Sequence, residues 1–98
     1  MKTLAAAILL TLGSAIPAFA TTEGPKTISR IGADTQYAHL AFTVPPADGC
    51  AYNLLYISLT NGKEMLSVAM TARAMGLPLS RVDYNKVNTQ CYATLLEY

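Results

Sequence analysis

The 98-residue chain has no tryptophan, a single histidine and two cysteines, and its Lys and Arg (7) nearly balance its Asp and Glu (6). Each shortage excludes something. Near-neutral charge gives no positive field of the kind that nucleic acid or anionic membranes attract, so neither is expected as a partner. One histidine, His39, and no C-x-x-C leave no cluster for a metal or redox centre, and no cofactor is expected. The acids Glu23, Asp34, Asp48, Glu64, Asp83 and Glu97 stand singly, without a D-x-D or E-x-x-E pair to bind a cation or share acid–base work. P-loop, G-x-S-x-G and H-E-x-x-H motifs are absent. A nucleophilic triad would have to use His39 as its base. That residue sits mid-strand between Ala38 and Leu40, where a strand-surface histidine is the simpler reading. The sequence therefore points away from an enzyme.

The start of the chain has the three parts of a secretory signal. Lys2 supplies the positive charge, Leu4 to Leu12 an uncharged apolar stretch, and Pro17 a helix break before the small residues of Ala18-Phe19-Ala20. The apolar stretch falls well short of the roughly 20 residues that span a bilayer. Residues 1–20 are thus expected to be a cleaved leader, with a secreted or periplasmic protein starting at Thr21 and no membrane insertion afterwards. Loss of Lys2 leaves six basic against six acidic residues in a single domain spanning 21–98. A domain that small has a marginal core and usually needs a staple. Cys50 and Cys91, 41 positions apart, are the staple expected in an oxidising compartment. On a loop-entropy model the link is worth about 4 kcal/mol. The alternative is that each cysteine bonds another chain.

Period-two alternation marks strands. Thr21 to Lys26 reads as a loose polar lead, Thr27 to Ile31 as a short β-prone run, and Gly32-Ala33-Asp34 as a turn or bulge. From Tyr37, the set Ala38, Leu40, Phe42 and Val44 faces one way, with Tyr37, His39, Ala41 and Thr43 opposite. Pro45 to Gly49 forms a loop. The run beginning at Cys50 is apolar on both faces and predicts a central strand. Asn61, followed at three positions by Glu64, predicts a capping box. A helix follows on Met65, Val68, Ala69, Ala72 and Met75, stopped by Gly76 and Pro78. Leu66 and Met70 widen its apolar face, with Arg73 continuing their row, which suits either a buried helix or contact between subunits in a homo-oligomer. Strands at Leu79 to Tyr84 and Gln90 to Tyr98, with a turn at 85–88, complete a β-β-β-α-β-β order. The expected fold is α+β, mainly β. It is a five-stranded OB-like barrel with its helix between strands three and four. An open sheet with the helix on one face is the alternative.

Six tyrosines are the most unusual positive feature. A tyrosine offers a rigid apolar ring and a polar tip, which suits stacking on sugars or contact with proteins. Tyr52, Tyr56 and Tyr92 read as ordinary strand residues and core filler. Tyr37 and Tyr84, on more polar faces, are the candidate ligand or subunit contacts. His39 joins them, as do Arg81 and Asp83, whose spacing points them to one face. A solvent-exposed ion pair is the plainer reading of those last two.

With the elements placed, the stretch GCAYNLLYISLTNGKEMLSVAMTARAMGLPLSRVDYN followed by QCYATLLEY resembles a group of small exported bacterial proteins. The matching positions are Cys50, Gly62, Lys63, Met65, Gly76 and Cys91. The receptor-binding B subunits of the subtilase cytotoxin type look like distant relatives. The resemblance covers about half of the chain. It implies an OB-type fold and glycan binding by a pentamer, and it places no sugar-contacting residue on this chain. The expectation from residues and resemblance together is an exported, non-catalytic module that binds glycan or protein. A periplasmic interaction or inhibitor protein is the second reading, and a small hydrolase the third.

Overall fold

The computed structural model describes residues 20–98, and the leader expectation otherwise falls on residues outside that range. The chain runs β1 (Ala20–Glu23), β2 (Ile28–Ala33), β3 (Tyr37–Phe42), a single 3-10 turn (Ala51–Asn53), β4 (Leu54–Ser58), α1 (Lys63–Met75), β5 (Arg81–Val87) and β6 (Gln90–Glu97). The strands form one sheet in the order β1-β5-β6-β4-β3-β2, antiparallel throughout except for the parallel pair β4–β6.

The domain is a small, mainly-β α+β unit with one helix and one disulfide, as expected, but it has six strands in an open sheet and not five in a closed barrel. The extra strand is β1, formed by the residues that read as a loose lead. Its residues pair with β5 (Thr21↔Tyr84, Glu23↔Val82), and the chain then breaks at Gly24-Pro25 before β2 turns to β3. Proline cannot donate to a ladder, so one continuous first strand is not available here. Lys26 and Leu79 exchange two backbone hydrogen bonds of 2.8 Å just past the break.

Local boundaries follow identifiable chemistry. β2 runs on through Gly32 and Ala33, because the turn is made instead by Asp34, whose carboxylate accepts from the N–H groups of Gln36 and Tyr37, both at 2.8 Å. Ala38, Leu40 and Phe42 are buried as the alternation requires, but Val44 is 64% exposed because the strand ends at Phe42, ahead of the two prolines. Leu55 and Ile57 of β4 are fully enclosed. That strand is central, between β6 and β3. Helix α1 starts from Gly62 with no side-chain cap, so the Asn61–Glu64 capping box does not form. Instead Ser58 Oγ accepts from Thr60 N and Asn61 N at 3.2 and 3.3 Å, and Gly62 N donates to Ser58 O. Gly76, at φ +71°, closes the helix by donating to Ala72 O and Arg73 O. β5 continues past Tyr84 to Val87, and Asn88 in a left-handed conformation makes the turn into β6.

Cys50 and Cys91 are bonded to each other, with Cα atoms 5.5 Å apart. Leu55 and Cys91 are register partners, so the bond ties the approach to β4 onto the strand beside it.

Candidate functional site: an aromatic face on the central strands

Because Ala38, Leu40, Leu55, Ile57 and Cys91 point inward, their alternates point outward. The register aligns those alternates into a row across the sheet: Gly32 on β2, His39 on β3, Tyr56 on β4, Tyr92 on β6 and Asn85 on β5. Tyr37, two residues before His39, joins the row from the side. Its ring centroid lies 6.0 Å from Tyr56 and 5.7 Å from Tyr92, and Tyr56 lies 5.9 Å from Tyr92. The three rings make a triangle, each half-buried. Spacings and tilts of this kind let ring edges meet ring faces, which fixes the rings without burying them.

His39 flanks the triangle, its ring centroid 6.4 Å from Tyr56 in an edge arrangement. It lies close against Gly32, where a Cβ would collide with the imidazole (2.7 Å from Cε1). Glycine thus leaves room for the imidazole, which any larger residue at 32 would displace. The Tyr92 hydroxyl donates to Gln90 Oε1, which lies on the same face. Asp34 sets where β3 begins and so where Tyr37 lands. The N–H groups of Tyr37 and then Gln36 hold its carboxyl below the ordinary carboxylate range, with His39 a smaller electrostatic contribution. The face therefore offers ring surfaces edged by hydroxyl, amide and imidazole groups. Among the described residues, no three His, Cys, Asp or Glu side chains could hold a metal ion. No described helix is long and apolar enough to cross a membrane.

Of the residues singled out from sequence, Tyr37 and His39 are brought together here. Arg81 and Asp83 bond each other instead, with Nε–Oδ1 3.1 Å and Nη2–Oδ2 2.9 Å, a fork-on-carboxylate pair on β5. The Arg81 guanidinium, with a further bond from Thr22, keeps the Asp83 carboxyl below its usual range. Tyr84 does not face solvent. It is 1% exposed, enclosed in the core on the strand that β1 pairs with, and its hydroxyl donates to Glu23. Burial first, then the neighbouring Glu23, pushes its phenol upward. The polar residues that alternate with Tyr84 along the strand gave it a false look of exposure.

Sequence reading assigned Tyr56 and Tyr92 to packing, and the structure places both half-buried on the outward face; Tyr52, read in the same way, is 83% exposed rather than filling a core. The signal for the first two was their position opposite Leu55, Ile57 and Cys91 in the alternation. Their convergence needed the parallel β4–β6 pairing, which no local pattern encodes. Compared with models of known protein families, with characterised proteins and with solved structures, the chain gives no match.

Proposed function

We propose that the chain is an exported, non-catalytic binding module that recognises glycans through the outward face of β3, β4 and β6. The observation that carries this reading is the triangle of half-buried tyrosines Tyr37, Tyr56 and Tyr92, flanked by His39 and Gln90. Sugars present an apolar C–H face and a rim of hydroxyls. Fixed aromatic rings suit the first and polar side chains the second. The resemblance to cytotoxin B subunits supports the same reading. So does the connectivity, in which a helix joins β4 to β5 and β4 runs parallel to β6, as in a partly open OB-type sheet whose first strand is broken at Gly24-Pro25. On this reading His39, at the edge of the ring triangle, contributes a polar contact to recognition.

A glycan array probed with oxidised mature protein tests the reading. Tyr56→Ala should weaken the best hit by about 2 kcal/mol, roughly thirtyfold, as for a residue at the centre of a contact. An array without hits, or hits untouched by Tyr56→Ala, overturns it.

One observation favours the second reading, a module that binds a protein or another copy of itself. Met70, Met75 and Leu77, on and just after α1, are 54%, 59% and 42% exposed. Concentration-dependent mass by light scattering that disappears in Met70→Lys would support the helix as that contact.

A further inference from the structure

Asn53, Asn61, Asn85 and Asn88 are the asparagines of the chain, and only Asn61 is followed by glycine. Packing explains the glycine. Gly62 is buried, and a Cβ there would lie 2.7 Å from Ile57 Cγ2 and 2.8 Å from Ser58 O. Nothing comparable holds the asparagine, which is exposed and whose side chain does not cap α1.

An exposed asparagine before glycine is placed for an intramolecular reaction. Base removes the proton from the glycine N–H, and that nitrogen attacks the side-chain Cγ of the asparagine. The Cγ–N bond of the side-chain amide breaks, ammonia leaves, and a five-membered imide remains. Water then opens the imide at either carbonyl. One opening gives aspartate, the other an isoaspartate whose main chain runs through the former side chain. Glycine favours the attack because no side chain shields its nitrogen.

The fold restrains each group that must move. The proton that base has to remove is the one Gly62 N donates to Ser58 O, at 2.7 Å. Gly62 O accepts from Leu66 N at 3.0 Å. Ser58 Oγ accepts from Thr60 N and Asn61 N at 3.2 and 3.3 Å, which fixes the turn. Ring closure requires the Gly62–Ser58 bond to break and Gly62 to shift against the other anchors.

We propose that Asn61 is a deamidation site gated by the turn from Ser58 to Gly62, closed in the native domain and open when the junction of β4 and α1 unfolds. The two products act differently on that junction. Aspartate adds a negative charge near the N-terminus of α1, where the helix dipole favours it. Isoaspartate lengthens the main chain by one carbon immediately before Gly62, which has no room to shift. A chain left unfolded long enough to form isoaspartate therefore refolds to a weakened domain.

The test incubates the disulfide-bonded mature protein at mildly alkaline pH, beside the same protein unfolded in guanidinium with reductant, and follows each asparagine by peptide mass mapping. The unfolded chain should convert Asn61 ahead of Asn53, Asn85 and Asn88. The native domain should convert it at least about tenfold more slowly, as for a turn that is mostly closed. Ser58→Ala removes the hydroxyl that holds Thr60 and Asn61 and keeps the backbone acceptor. It should raise the native rate severalfold and leave the unfolded rate unchanged. The isoaspartyl form, separated by chromatography and refolded, should melt below the parent, and Asn61→Asp should not. Equal rates in native and unfolded protein, or a native rate untouched by Ser58→Ala, overturn the gate. Asn61 left intact in the unfolded chain overturns the site. An isoaspartyl form that melts with the parent overturns the effect on refolding.

Discussion

All three N–H bonds of the Lys26 ammonium have partners: Glu23 Oε1 at 2.8 Å and the carbonyl oxygens of Val44 and Pro45, both at 3.0 Å. Its charge also stands 6.0 Å from the Phe42 ring centroid. Glu23 in turn accepts from Ala47 N at 2.8 Å and from the Tyr84 hydroxyl. A largely buried ion pair is tolerated only when satisfied in this way. Burial alone would raise the Glu23 carboxyl, but the bonds from Lys26, Tyr84 and Ala47 outweigh it and hold it below its usual 4.5. The sign follows from linkage. A carboxyl depressed in the fold adds stability above its unfolded pKa of about 4.5, and that stability is lost as pH falls through the lower folded value. Glu23→Gln should therefore cost about 3 kcal/mol at neutral pH by leaving Lys26 without its counter-charge. Chemical denaturation from pH 7 down to about 3 should show the parent losing stability over the acid limb. The variant, already weakened, should lose less. Parallel curves would count against the assignment.

At the scale of the element, α1 is governed by the glycines at its two ends, for different reasons. A Cβ at Gly62 would lie 2.7 Å from Ile57 Cγ2 and 2.8 Å from Ser58 O, so helix and β4 approach too closely for any other residue. Gly62→Ala should cost about 1–3 kcal/mol through forced displacement. At Gly76 a Cβ meets nothing within 4 Å, and only the φ of +71° matters. Gly76→Ala should cost about 1 kcal/mol. Asn61→Ala, which removes no side-chain cap, should leave the helix unaffected. Thermal melts of the three variants, at about 4–8 °C per kcal/mol for a domain this size, should rank them in that order. An Asn61→Ala melt as low as that of Gly62→Ala would mean that the capping box forms after all. The helix itself was legible, because a 3.6-residue period bounded by glycine is a local property. Its first residue was not, since Gly62 is selected by contact with Ile57.

For the whole molecule the decisive bond is Cys50–Cys91. It joins the approach to β4 with β6, and so bridges the one parallel pairing in the sheet. Reducing it should cost about 2–5 kcal/mol, comparable with the total stability of a small domain. Denaturant midpoints with and without reductant measure that loss, and a midpoint that does not move would refute it. The leader expectation has an equally direct check. Protein recovered after export should begin at Thr21, a start that leaves the Thr21–Tyr84, Thr22–Asp83 and Glu23–Val82 pairings of β1 intact. N-terminal sequencing that returns Met1 would overturn it.

The sequence by itself determined the local units. Alternation defined β3 through Phe42, and the two apolar faces of the run after Cys50 marked β4 as a central strand. The helical period and Gly76 defined α1, and two cysteines in a small domain implied their bond. The strand and helix assignments depend on neighbours within a few positions along the chain, and the bond on there being just two cysteines to pair. The tertiary structure alone decided how the units meet. Pairing of Thr21–Glu23 with β5 turned an apparently loose lead into a strand and buried Glu23 with Lys26. The parallel contact of β4 with β6 gathered Tyr37, Tyr56 and Tyr92 from three strands onto one face. Cross-strand contact depends on register between distant segments, and period-two alternation says which way a side chain points but not which strand lies beside it.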